Sequence, residues 1–188
     1  MAYSALFLLA FHGFFRISNL LPPSQQKFNP LHHLARGDVI FAHPGSHIII
    51  KWSKTLQSSK SCKIIKLPTI PNSILCPTSA LQQFVTAYPT PNNQPFFSVP
   101  SNQTLTSITQ KQARTTLSTI LTHIGLNSTQ YSFHTFRHSG ATLAFQLGVP
   151  LQDIQAHGTW ASQAVWHYTS TATSSNIPST FTNHLSNI

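Results

Sequence analysis

An apolar run near the N-terminus constrains this chain more than any other feature. Between Ala5 and Phe15 only His12 and Gly13 interrupt the apolar side chains, and the run stops at Arg16. A membrane-crossing helix needs about 20 such residues, so this one is too short to span. It also lacks the basic n-region and small-residue cleavage site of a signal peptide. Tyr3 to Phe15 therefore reads as a helix buried within a core, closed by Ser18-Asn19-Leu20-Leu21-Pro22-Pro23. A natural domain rarely opens inside its own core, so further sequence ahead of Met1 is expected.

The covering elements can be read in turn. Asp38–Ala42, His47–Trp52 and Lys63–Leu67 are short β-rich runs, the first two joined by His43-Pro44-Gly45-Ser46. Their short links predict a three-stranded antiparallel sheet. Ser79–Tyr88 carries helical spacing, and Pro89–Pro100 is a Pro/Asn-rich connection. Ser107–Ile124 places Ile108, Ala113, Leu117, Ile120, Leu121 and Ile124 on one helical face, ended by Gly125. His134–Leu147 is a further helix stopped by Gly148, Pro150 opens the next, and Ser162–Tyr168 and Ser179–Leu185 read as short helices. With 188 residues and no internal repeat, one domain is expected. Its class is α+β, mainly α, with a small three-stranded antiparallel sheet.

Charge narrows the chemistry. Lys and Arg total 11 against two acids, Asp38 and Asp153, for a formal net charge of +9. Paired-carboxylate catalysis needs both acids in one site, and an oxygen-ligand site for magnesium or calcium usually recruits several. A polyanionic partner, nucleic acid above all, fits the excess positive charge. Cys62 and Cys76 are too few for a disulfide framework. They point to an intracellular setting, the nucleus if the host is eukaryotic. The histidines His32, His33, His43 and His47 are irregularly spaced with no cysteine at ligand spacing, which reads against zinc.

Four stretches concentrate the remaining chemistry. In Phe133-His134-Thr135-Phe136-Arg137-His138 the imidazole of His134 and the guanidinium of Arg137 lie three apart, on one helical face. At a helix start that pair suits a phosphate, because Arg presents a planar fork and the helix adds exposed N–H groups. Alone, His-x-x-Arg describes a surface pair equally well. His157-Gly158-Thr159-Trp160 leads to Tyr168; Gly13-Phe14-Phe15-Arg16-Ile17-Ser18-Asn19-Leu20 puts an arginine directly after the apolar helix; Lys51-Trp52-Ser53-Lys54-Thr55 puts two lysines at a strand end.

Together these stretches resemble the tyrosine recombinase (phage integrase) family. The family order of Arg, hairpin Lys, His-x-x-Arg, His or Trp, then Tyr is filled by Arg16, Lys54, His134, Arg137, Trp160 and Tyr168. Tyr168 follows Trp160 by eight residues, the spacing of eukaryotic mobile-element recombinases of the DIRS-like and Crypton groups. Asn19 stands where the family's first box usually has an acid. The resemblance covers nearly the whole chain as a catalytic domain, residues 1–188, without the N-terminal core-binding domain that members usually carry.

The resemblance implies a mechanism. Arg16 and Arg137 clamp the scissile phosphate, His134 donates to it or assists proton transfer, and Trp160 contributes its indole N–H. Tyr168 attacks to give a 3′-phosphotyrosyl link and a free 5′-hydroxyl. Lys54, with Lys51 as the alternative, protonates the leaving 5′-oxygen. The covalent intermediate stores the bond energy, so no cofactor and no metal are expected. The partner is double-stranded DNA, engaged by a homotetramer that exchanges a C-terminal segment, for which Pro178–Leu185 is the candidate. Two rivals share these residues: a non-catalytic DNA-binding remnant of a mobile element, and a type IB topoisomerase.

Overall fold

The computed structural model describes residues 1–52, 62–101 and 104–160. The apolar run forms helix α1, Ala2–His12, with Ala5, Leu6, Leu9 and Ala10 fully buried. Full burial of a leucine contributes about 1.5–3 kcal/mol, which makes α1 the centre around which the rest packs. Helix α3, Pro77–Ala87, and helix α5, Phe133–Gln146, both pack against it. The helix stops three residues short of the predicted end: Gly13 caps it, and Phe14 turns the chain with a left-handed φ of 51°. A one-turn helix, α2, Ile17–Leu20, follows with Arg16 at its N-cap.

The three predicted strands are present as β1 Val39–Ala42, β2 Gly45–Ile50 and β3 Lys63–Pro68, antiparallel and in that order. On β2 the buried residues Ser46, Ile48 and Ile50 alternate with half-buried ones, so one face meets the core. Thr78 at the start of α3 donates to the Pro68 carbonyl at 2.8 Å and joins that helix to the sheet. A second sheet was not expected. Residues within and just after the predicted connection pair as β4 Ser98–Ser101 and β5 Thr104–Ser107.

Helix α4, Gln110–His123, starts later than predicted because Ser107 ends β5 and Thr109 is the N-cap. Its N-terminus is closed by reciprocal bonds between Thr109 and Gln112. Ser132 and Thr135 close α5 in the same way. Helix α6, Leu151–Gly158, has Pro150 at its N-cap and Asp153 in its first turn, where a carboxylate suits the helix dipole. Phe14, Ala141, Ile154 and Trp160 form a small apolar cluster of their own beside the main core. The helices predicted over Ser162–Tyr168 and Ser179–Leu185 lie outside the described residues.

Candidate functional site

The site grows from the junction of α1, α5 and α6. Gly140 makes the approach of α5 to the end of α1 possible: a Cβ there would lie 2.3 Å from the Phe11 carbonyl oxygen and 2.8 Å from the Phe14 ring. With the helices this close, the Arg137 guanidinium donates through Nη1 to the carbonyl of Phe14, the residue in the left-handed turn. Trp160 covers its other side, the guanidinium carbon standing 3.8 Å from the ring centroid. Only 2% of Arg137 and 7% of Trp160 are exposed, so the cation–π contact is largely shielded from water and correspondingly strong.

Trp160 depends on its own local turn. Thr159 adopts a left-handed φ of 58°, and the indole folds back over Gly158, where a Cβ would lie 1.7 Å from the ring. The turn also holds α6 against α1. His157 Nε2 donates to the His12 carbonyl at 2.9 Å, and its ring meets Phe14 edge-on at 4.8 Å. Lys63, at the start of β3, donates to the Ala156 carbonyl.

His134 occupies the first turn of α5, exposed at the surface. Partial desolvation lowers its pKa, and the charges of Arg137, Arg16 and His138 lower it further. Groups from two segments far apart in sequence, Arg16 on one and Arg137 with His138 on the other, therefore act on one imidazole. Among the sequence-predicted residues the structure brings together Arg16, His134, Arg137 and Trp160. Lys54 and Tyr168 lie outside the described residues. The alternative lysine, Lys51, forms an ion pair with Asp38 at 2.7 Å.

Two contributors escaped the sequence reading. The Phe14 carbonyl gives no side-chain signal, and a phenylalanine in the left-handed region runs against propensity. Asn19 drew notice only as a departure; its side chain is buried and donates through Nδ2 to the Trp52 carbonyl at 2.9 Å. Among the described residues no group of three or more His, Cys, Asp or Glu side chains comes together as a metal site.

No protein-family model and no curated relative matches the sequence. Solved structures do match. The XerH site-specific recombinase bound to its difH substrate in a pre-cleavage complex aligns over 98% of this chain and 46% of its own, with a TM-score of 0.59 and 18% identity. Its post-cleavage complex on palindromic difH gives 0.62 at 20% identity over 98% of this chain and 44% of its own. The fold is that of a tyrosine-recombinase catalytic domain. The Tn1549 transposon integrase in complex with transposon right-end DNA agrees, with a TM-score of 0.54 and 12% identity over 97% of this chain and 56% of its own. The chain thus spans about half the length of these recombinases.

Proposed function

We propose that the chain is the catalytic domain of a site-specific DNA recombinase that cleaves and rejoins strands through a 3′-phosphotyrosyl intermediate. The observation that carries this reading is the convergence of Arg16 and Arg137 on His134, on a fold shared with DNA-bound recombinases. Cationic groups that stand near one another repel, and an anion arriving among them relieves the repulsion. A phosphodiester is such an anion, and attack on it builds further charge on the non-bridging oxygens.

The roles follow. Arg137, its plane set by the Phe14 carbonyl and the Trp160 ring, and Arg16 hold the phosphate and stabilise the charge of the transition state. His134, with its lowered pKa, is neutral at physiological pH and suited to proton transfer. Tyr168 supplies the nucleophilic oxygen: its proton passes to His134, its O–P bond forms as the P–O5′ bond breaks, and Lys54 delivers a proton to the departing 5′-oxygen. The ion pair that engages Lys51 with Asp38 favours Lys54 in that role. Rejoining reverses the steps, with a 5′-hydroxyl attacking the phosphotyrosine. The eight-residue interval from Trp160 to Tyr168 supports a place among eukaryotic mobile-element recombinases, with assembly as a tetramer on DNA in the nucleus.

The test uses a pool of nicked duplexes of randomised sequence, in which cleavage near the nick releases a short strand and traps the covalent adduct. Wild-type protein should form an adduct stable to denaturant, and Tyr168→Phe should form none while still binding DNA. An adduct in both removes Tyr168 from the nucleophile role. Binding without an adduct in either favours the non-catalytic remnant, and relaxation of supercoils without site preference favours the topoisomerase.

A further inference from the structure

The two supports of Arg137 come from different places, the Phe14 carbonyl from the turn after α1 and the Trp160 ring from the turn after α6. Helix α1 closes with a pair of hydrogen bonds, Phe15 N to the Ala10 carbonyl at 3.1 Å and Phe14 N to the Phe11 carbonyl at 3.4 Å. The position that such a pair puts in the left-handed region is usually glycine. Here it is Phe14, whose Cβ makes that conformation costly, so contacts from outside must hold the turn. His157 supplies two of them. Its Nε2 donates to the His12 carbonyl at 2.9 Å, one of the last carbonyls of the helix, which have no partner within it. Its ring meets the Phe14 ring edge-on at 4.8 Å, and the same Phe14 ring lies 6.1 Å from the indole of Trp160. The end of α6 is fixed in turn: Lys63 donates to the Ala156 carbonyl, Trp160 N donates to the Gln155 carbonyl at 3.2 Å, and the Gln155 amide donates to the Trp160 carbonyl at 3.3 Å.

We infer that His157 is a positioning residue for Arg137, which holds the Phe14 turn so that its carbonyl and the Trp160 ring grip the guanidinium together. The inference rests on the proposed function and deepens it by naming what aims one of the two arginines. Histidine suits the place because it combines a flat ring with an N–H on its edge. Glutamine supplies the donor without the ring, and phenylalanine the ring without the donor. His157 acts through the guanidinium: when it is lost, the Phe14 carbonyl shifts and the fork of Arg137 turns away from the non-bridging oxygens. The charge of Arg137 stays in place, so DNA binding is largely kept while the stabilisation of the transition state weakens.

The experiment varies the charge that the arginines meet. A duplex recovered as an adduct from the randomised pool is synthesised with the scissile group as the ordinary diester or as a methylphosphonate, in which a methyl group replaces one non-bridging oxygen and removes the charge. An uncharged phosphonate depends less on a well-aimed guanidinium, whose work is to meet that charge. Single-turnover adduct formation is measured for wild type, Arg137→Lys, His134→Ala, His157→Ala, His157→Gln and His157→Phe. On the diester His157→Ala should be slower than wild type by about tenfold, with His157→Gln and His157→Phe in between. On the methylphosphonate all three should come within about twofold of wild type, and Arg137→Lys should recover in the same direction. His134→Ala, whose defect lies in proton transfer, should stay slow on both. Equal slowing of His157→Ala on both substrates marks a general structural defect and overturns the inference, as does no slowing on either. Failure of wild type to form any adduct overturns the proposed function and the inference with it. If His157→Ala shows no cooperative melting, His157→Gln and His157→Phe, which each keep one contact, carry the same comparison.

Discussion

Two arginines of this protein are held in the same way and differ in what surrounds them. Arg36 donates through Nη2 to the Val85 carbonyl at 2.6 Å and lies over the Phe96 ring, 5.5 Å from its centroid. Arg137 donates to the Phe14 carbonyl and lies over Trp160. Each is gripped by one carbonyl and one aromatic face, an arrangement that holds a guanidinium in any protein. Around Arg36 an acid is close by: Asp38, in the same turn, is paired with Lys51. Near Arg137 the charges that act on His134 come from Arg137 itself, Arg16 and His138. A clasped arginine is thus a structural device, and what distinguishes the Arg137 region is a second arginine, Arg16, whose charge acts on the same imidazole.

The largest effect that separates the two falls on Arg137. Arg137→Lys keeps the charge but loses the planar fork and the stacking over Trp160. Adduct formation should drop about a hundredfold or more, with DNA affinity at low salt changed far less. If lysine substitutes freely, the guanidinium geometry is irrelevant and the site is only a basic patch.

Gly140→Ala tests the seat on which the clasp is built. Its Cβ would overlap the Phe11 carbonyl and the Phe14 ring, and overpacking of this kind costs about 1–3 kcal/mol. Chemical denaturation should register that loss together with slower adduct formation, because the Phe14 carbonyl moves away from Arg137. The counterpart, Arg36→Met, should cost only about 1 kcal/mol and leave the cleavage rate of the folded protein unchanged. A cleavage defect in Arg36→Met that exceeds its stability loss would erase the distinction between the two arginines.

The two regions were not equally legible in the sequence. Helix α5 was readable almost to the residue, because Gly148 ends a patterned run. The three strands were readable from β-branched clusters such as Ile48-Ile49-Ile50. The β4–β5 hairpin was not: Pro100 lies inside it, and its strands bury only Ser98 and Ser107, so no apolar alternation marks them. At the site, the order of Arg16, His134, Arg137 and Trp160 pointed to the chemistry because these four residues recurred in a known sequence of contexts. The parts that hold them were invisible for physical reasons. A backbone carbonyl has no residue identity, a left-handed Phe14 contradicts propensity, and the Asn19 amide contacts a carbonyl 33 positions away. The Arg36 clasp was equally silent, since nothing local marks an arginine that folds onto Phe96.

The smallest effect concerns protons. Burial holds the pKa of His157 below its ordinary value, its hydrogen bond to the His12 carbonyl opposes this, and the charge of Lys63 lowers it again. Burial likewise lowers His12, opposed by a backbone hydrogen bond to Leu75 and reinforced by the charge of His157. The unfolded chain therefore takes up protons at these residues before the folded one does. Their contribution to stability is complete above the unfolded value of 6.5 and is lost as the pH falls through the lower folded values. Both residues stand where α6 meets the end of α1, so protonation strains the contact that keeps Trp160 over Arg137. A melting series from neutral to mildly acidic pH should show stability falling below about pH 6.5. His157→Gln, which keeps a donor for the His12 carbonyl but cannot take up a proton, should flatten that fall, and Arg36→Met should leave its slope unchanged. A His157→Gln variant with the wild-type slope would place the acid sensitivity elsewhere and remove α6 as the proton-sensitive part of the clasp.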